Sequence, residues 1–280
     1  TLIILTSLIL LTSMSYSEEQ YDQIRIWTEN TGLTLQSLLP LGIDPEGINV
    51  RKGAYIDVIV NQSERSKIEA LGMPAEDIVL DLTSHYASRL TQGASRELGY
   101  GSMGGYLTYD EIVDSMDSLH AQYPGIVSSK ISLGTSHEDR IIWAFKISDN
   151  PDLEEDEAEV FYNSLTHARE PAAMMTLMHF AWNLAENYSI DPFLSYLVDE
   201  RQMWFVPVVN PDGYAYNEWL SSNGGGMHRK NRRPTCGSSG VDLNRNWGFQ
   251  WGFDDFGSSP DSCDNTYRGS SAFSEPETQA

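Results

Sequence analysis

The sequence predicts an α/β fold: a mixed, mainly parallel sheet flanked by helices, preceded by a small α+β unit. Three observations carry this reading. From Tyr106 onward, apolar strand-like runs at 141–148, 160–165 and 203–209 alternate with segments of helical period, and buried strands separated by helices favour parallel pairing. Before that point the alternation is shorter, with strands at 23–27, 54–60 and 77–82 and helices at 33–41 and 63–71. Between the two units lies LTQGASRELGYGSMGG (90–105), whose glycines and serines suit an exposed linker. The expected organisation is therefore a leader at 1–17, the α+β unit at 18–89, the linker at 90–105 and the larger unit at 106–280.

The leader is the run LIILTSLILL (2–11), too short to span a bilayer and followed by Ser15 and Ser17. It reads as a secretory signal cut near Ser17, and a buried strand is disfavoured because nothing polar alternates within it. No segment of the chain reads as a membrane anchor. The initiating Met and the basic start of a signal are missing, so Thr1 is not expected to be the native start. In the second unit, Thr108 and Glu111 form a capping box before a helix with Ile112, Met116, Leu119 and Tyr123 on one face. The helix at 171–188 opens on Pro171. At the other end Ser274 and Glu277 have capping-box spacing with Pro276 in the first turn, which predicts a helix and leads us to read the chain as a fragment ending inside it.

A formal net charge of −22 excludes nucleic acid as a partner, because phosphate binding needs a cationic surface. Part of the surplus is the acidic stretch DLEEDEAE (152–159), a solvated loop. Arg89 and Arg96 lie in or beside the linker, where an activating protease of tryptic specificity could cut. The triplets at Asn61 and Asn187 have the form of glycosylation acceptors. With a secretory signal the only two cysteines, Cys236 and Cys263, are expected to pair; zinc binding by them is disfavoured by the lack of a CxxC spacing.

The chemistry gathers at strand ends. His167 and Glu170 stand three apart where the run at 160–165 meets the helix at 171, so an imidazole nitrogen and a carboxylate oxygen can face one metal ion. A capped, hydrogen-bonded turn would explain that pair equally. Asn210-Pro211-Asp212-Gly213-Tyr214 reads as a tight turn after the next strand. Met227 to Arg233 is a basic cluster in an acidic protein, either a solvated loop or an anion site. In GVDLNRNW, Asn244 and Arg245 place an amide beside a guanidinium, which is the natural bidentate partner of a carboxylate or part of a structural hydrogen-bond network. A metal that polarises a carbonyl, next to a cationic pocket for a free carboxylate, describes cleavage at a peptide C-terminus.

The ordered set HAREPAA, NPDGY, RKNRR, GVDLNRNW, Tyr267-Arg268-Gly269 and SEPET resembles the zinc metallocarboxypeptidases of the carboxypeptidase A/B type, from about Gly104 to the last residue. The resemblance implies one Zn2+ per complete enzyme, with His167 and Glu170 as ligands. It implies Arg229 as the group stabilising the oxyanion, Asn244 and Arg245 as the grip on the terminal carboxylate, and Arg169 in an outer substrate subsite. It further implies a Cys236–Cys263 pair, peptide or protein C-termini as substrate, and an N-terminal unit acting as an activation propeptide of a secreted zymogen. The third zinc ligand, a histidine, and the glutamate base of that family are expected past Ala280, since His85, His120, His137, His179 and His228 sit in other contexts. Two ligands predict weak zinc binding and no peptidase activity in the 280 residues alone. The competing reading is a non-catalytic secreted peptide-binding homologue that keeps the carboxylate grip.

Overall fold

The computed structural model describes residues 20–90, 101–236 and 240–280, with the side chains of Arg89 and Leu90 excepted. The signal reading of 1–17, the Arg89 side chain and Arg96 lie outside the described residues.

The N-terminal unit is a four-stranded antiparallel sheet with two helices on it. Strands β1 (Tyr21–Trp27), β2 (Asn49–Arg51), β3 (Tyr55–Asn61) and β4 (Ala75–Val79) lie in the order β2-β3-β1-β4. Period-2 burial of Ile24 and Ile26 on β1 and Ile56, Val58 and Val60 on β3 forms the core, closed by Leu38 of α1 (Thr31–Leu38) and Ile68 of α2 (Gln62–Ala70). Asn61 caps α2 through a capping box with Glu64 and is buried, so its side chain is already committed. Gly42, at φ 82°, turns the chain after α1 into Asp44, whose carboxylate caps a short 3₁₀ turn at Pro45–Gly47. That turn carries Glu46 away from the unit. Helix α3 (Leu82–Leu90) then leads toward the larger unit.

The larger unit begins inside the span read as linker. Residues 101–106 form a small turn with bridges Gly101↔Gly105 and Met103↔Tyr106, and Met103 is buried in the main core. Helix α4 (Tyr109–Gln122) starts on the expected capping box, with Thr108 and Glu111 bonding each other's backbone. The sheet contains β5 (Ile131–Thr135), β6 (Ile141–Ile147), β7 (Ala158–Asn163) and β8 (Arg201–Val206) in the order β5-β6-β8-β7. It is mixed: β7 pairs parallel to β8, while β5–β6 and β6–β8 are antiparallel, so among the described strands the parallel character is confined to the β7–β8 pair. Helix α5 (Pro171–Asn187) makes the crossover from β7 toward β8, followed by α6 (Pro192–Asp199), and buries Met174, Leu177, Met178, Ala181 and Leu184. Ile112, Met116 and Leu119 of α4 share the same core with Phe145 and Phe205, whose rings stack at 5.0 Å.

Two segments depart from the sequence reading. The stretch at 210–214 is the start of α7 (Pro211–Leu220), not an isolated turn: Asn210 caps it by accepting from Gly213 N, with Pro211 in the first turn. Helix α8 (Pro276–Gln279) forms, but without the capping box. Glu275 is its N-cap, and Ser274 Oγ donates to Glu275 Oε1 at 2.6 Å instead of capping the helix. Cys236 and Cys263 are bonded to each other. Among the described residues no helix is long and apolar enough to cross a membrane.

Phe205→Ala leaves a cavity beneath the β6–β8 pair and should cost about 3–5 kcal/mol. Phe193→Ala, on an exposed ring (66% accessible), should stay within about 0.5 kcal/mol of the parent. Urea unfolding checks both; equal losses would mean that the Phe205 packing described here is wrong.

Candidate active site

Parallel pairing puts the ends of β7 and β8 on one edge of the sheet, and the site is built there. After β7 the chain passes through Leu165, held at φ 51°, into His167, and Ala168 N donates to Arg229 O at 3.0 Å. After β8, Asn210 Nδ2 donates to Lys230 O at 3.0 Å, fixing the segment that carries Arg229. That segment is then tied to the next: Asn231 N donates to Val241 O at 3.1 Å and Asn231 Oδ1 accepts from Val241 N at 2.8 Å. Gly240 permits this approach. At φ 72°, a Cβ there would lie 1.9 Å from Asn231 O. Three irregular segments are thus stitched side by side, and they bring His167, Arg229, Asp242, Asn244 and Arg245 together.

His167 is buried and sits among carboxylates. Its Nε2 lies 3.2 Å from Asp242 Oδ1, and its Nδ1 lies 3.0 Å from Glu170 Oε1 and 3.2 Å from Glu46 Oε2. Burial alone would lower the imidazole pKa, but the hydrogen bonds to Asp242 and Glu170 outweigh it and raise it to about 9. Since a carboxylate can only accept, both ring nitrogens carry protons when nothing else stands between them. A cation between Nδ1 and the two glutamates would replace one of those protons. Donor atoms of Glu46, His167 and Glu170 lie within 4.8 Å of one another, and Asp242 orients the imidazole from behind as second-layer carboxylates do in zinc sites. The residues therefore fit zinc, with one donor, Glu46, that sequence reasoning did not foresee.

Arg229 is fully buried and its guanidinium is shared by three acids. Nη1 donates to Asp44 Oδ2 at 2.7 Å, Nη2 to Glu46 Oε2 at 3.2 Å and to Asp242 Oδ2 at 3.0 Å, and Nε to Asp242 Oδ2 at 3.3 Å. Burial opposes its charge, but Asp242, Asp44 and Glu46 together raise its pKa above the ordinary arginine value. Asp242 is wholly enclosed; burial pushes its pKa up, and Arg229 and His167 pull it far down, so it is ionised. Arg169 Nη2 donates to Asp44 Oδ2 at 3.0 Å. Asn244 Nδ2 donates to Glu46 Oε1 at 2.6 Å, and Arg245 Nη1 lies 3.5 Å from the same oxygen.

Every residue singled out for metal or carboxylate binding thus meets in one place. Asp44 and Glu46, from the N-terminal unit, and Asp242, inside a motif quoted for its neighbours, are the additions. Local sequence offers little for the first two, because Asp-Pro-Glu-Gly reads as a turn and its partners lie more than a hundred residues away. Asp242 had a signal: an acid between Val241 and Leu243, both apolar, is an acid headed for burial.

Residues 112–280 match the family model described as zinc carboxypeptidase. The chain belongs to that family. It is 33% identical to carboxypeptidase A1 of Sus scrofa over 241 residues, which cover 82% of this chain and 55% of the pig protein. Against carboxypeptidase A2 of Mus musculus it is 35% identical over 181 residues, covering 64% of this chain and 41% of the relative. The chain therefore spans about half or less of the length of these curated relatives. The fold agrees with the crystal structure of the carboxypeptidase A from Helicoverpa armigera, with a TM-score of 0.72 at 24% identity over 93% of this chain and 65% of that one. It also agrees with thrombin activatable fibrinolysis inhibitor, with a TM-score of 0.65 at 24% identity over 93% of this chain and 67% of that one.

In the metal-free protein, His167 should titrate near pH 9. Because its folded pKa lies above its unfolded one, the stability it adds is complete below about pH 6.5 and is lost as pH rises through about 9. Asp242→Asn removes the leading attractive partner and should lower the His167 midpoint by more than about one unit. Imidazole NMR titration of both proteins reads this directly, and an unmoved midpoint refutes the assignment.

Proposed function

We propose that this chain is the zymogen portion of a secreted zinc-dependent carboxypeptidase that hydrolyses the last peptide bond of peptides or proteins. One observation carries the reading: a single carboxylate, Glu46, is held at once by Asn244, Arg245, Arg229 and His167. A peptide's terminal carboxylate offers the same acceptor oxygens to the same amide and guanidinium. Glu46 occupies the grip that a substrate would need, and Asp44 occupies Arg229 and Arg169 beside it. The N-terminal unit is thereby a plug, further fastened by Lys67 to Asp264, by Tyr21 to Asn265 and by Asn265 to Glu64.

Once the plug is withdrawn, each side chain has a separate task. Asn244 and Arg245 fix the terminal carboxylate and so set which bond lies beside His167. Asp242 keeps the His167 Nε2 proton in place, which leaves Nδ1, with Glu170, to hold zinc. A zinc ion bound there would supply Lewis acidity and a more acidic water. Arg229, permanently charged and held by Asp242, faces the carbonyl oxygen where negative charge develops. Arg169 is left free to receive the substrate backbone farther from the cut. Cleavage after Arg89 or Arg96 by a tryptic protease would release the plug, and the apolar run read as a leader at 1–17 supports export from the cell.

The test uses the native protein after trypsin treatment, with peptides followed by mass spectrometry. Loss of single residues from the C-terminus, abolished by chelation and by amidating the peptide terminus, is the expected outcome. Arg229→Ala should lower kcat by ~100-fold or more with little change in KM, and Arg245→Ala should act mainly on KM. Binding of free C-termini without cleavage would replace the peptidase with a peptide-binding protein, and indifference to amidation would remove both readings.

A further inference from the structure

Behind the Arg229 segment lies a second cluster that the peptidase reading does not use. Glu275 and Glu277 are both buried, at 0% and 3% accessibility, and one amide joins them. Asn231 Nδ2 donates to Glu275 Oε2 at 2.8 Å and to Glu277 Oε2 at 3.1 Å. The two acids are not equally provided for. Glu275 also receives Arg233 Nη1 at 2.5 Å and Ser274 Oγ at 2.6 Å on Oε1, and His137 Nε2 lies 2.9 Å from its Oε2. Among the described residues the side-chain partner of Glu277 is Asn231, and Glu277 Oε1 is buried with no hydrogen-bond partner there.

An enclosed carboxylate beside another carboxylate is costly unless a proton or a cation covers it. The proton is available, since burial pushes the Glu277 carboxyl up to about 7. The geometry also offers the cation. A ring nitrogen of His137 and one oxygen each from Glu275 and Glu277 lie within 4.8 Å of one another. His137 is partly exposed, so the cluster has an entrance from solvent.

We propose that His137, Glu275 and Glu277 form a second metal site, selective for a zinc-like divalent ion and separate from His167 and Glu170. One imidazole and two carboxylates are the donor set of such ions; calcium and magnesium favour oxygen alone. Glu277, with an oxygen that lacks a hydrogen-bond partner among the described residues, has the donor capacity that the ion would take up. Arg233, on Oε1 of Glu275, leaves the Oε2 side toward His137 for coordination. Binding would displace the proton between His137 and Glu275. It would also anchor Asn231, whose backbone and side chain tie the Arg229 segment to Val241. The site would thus brace the frame on which Arg229 is mounted.

The test is made on the full chain carrying His167→Ala and Glu170→Gln, so that the first site cannot contribute and the peptidase reading is not on trial. Equilibrium dialysis against Zn2+ alone should show about one equivalent bound, lost on adding either Glu277→Gln or His137→Gln. Glu277→Gln is isosteric, and circular dichroism checks that the variant is folded. In the parent chain, the His137 imidazole NMR signals should shift on adding Zn2+ while those of exposed His179 stay in place. No zinc bound by the His167→Ala, Glu170→Gln chain overturns the proposal, as does binding that survives Glu277→Gln. Loss caused instead by Glu157→Gln, in the acidic cluster of Asp149, Glu155 and Glu157, also overturns it, as do unmoved His137 signals.

Discussion

The carboxylate of Asp242 is fully enclosed, and one side of the site hangs on it. One oxygen faces His167 Nε2 and the other faces Arg229 Nη2 and Nε. Taking that charge out of water is favourable only because two cationic partners meet it with hydrogen bonds, and each partner is in turn oriented by it. The imidazole is turned so that Nδ1 points to the front of the site, and the guanidinium is turned so that Nη1 and Nη2 do the same. Replacing the acid by an amide would keep the shape but reverse the balance of donors and acceptors. The orientations of His167 and Arg229, for which we propose zinc-binding and oxyanion roles, therefore share one structural cause.

The front of the site is balanced by a different part of the chain. Arg169, Arg229, Arg245 and protonated His167 face Asp44, Glu46, Glu170 and Asp242. Four cations against four carboxylates let the contact between the two units bury charge at little net electrostatic cost. Take away Asp44 and Glu46, and three guanidiniums face only Glu170 and Asp242. A surplus of positive charge in a protein with a net charge of −22 is an address for an anion, which is the physical ground for the peptide carboxylate proposed above. The same arithmetic explains why the Glu46 pKa is lowered despite burial, which alone would raise it: Arg229, His167 and Arg245 all surround it.

How much of this was legible in the sequence depended on range. The α5 helix, the α4 capping box and the junction carrying His167 and Glu170 rest on contacts within a few residues, and periodicity finds such elements. Asn210-Pro211 was read as a turn because the signature of a turn and of a helix start is the same there; what decides is burial of Asp212, Gly213 and Tyr214 against the neighbouring segments. Ser274 and Glu277 have capping-box spacing, but Ser274 Oγ spends its hydrogen bonds on Glu275 and Asn246, and Glu277 turns toward Asn231. Strand β5 escaped because it is an edge strand with exposed Ile131 and an irregularity near Gly134, which blurs alternation. Asp44 and Glu46 escaped because their partners belong to another unit, and no local pattern reports a contact of that range.

The position of the site follows from a mixed sheet more than from a parallel one. Among the described strands only β7 and β8 run parallel to each other, so their two ends open onto the same edge, and they deliver His167 and Asn210. Arg229, Asp242 and Arg245 come from segments with almost no regular structure. Irregular backbone inside a protein must still satisfy its polar groups, and here it does so laterally, through Ala168 to Arg229, Asn231 to Val241 and Asp242 to Tyr267. Asparagine is the residue suited to this task because its side chain donates and accepts at once. Asn210, Asn231 and Asn246 are all buried, and each ties a side-chain amide to neighbouring backbone. Removing any one would strand both a donor and an acceptor at the back of the site, so the placement of His167, Arg229 and Arg245 at the front relies on amides set behind them.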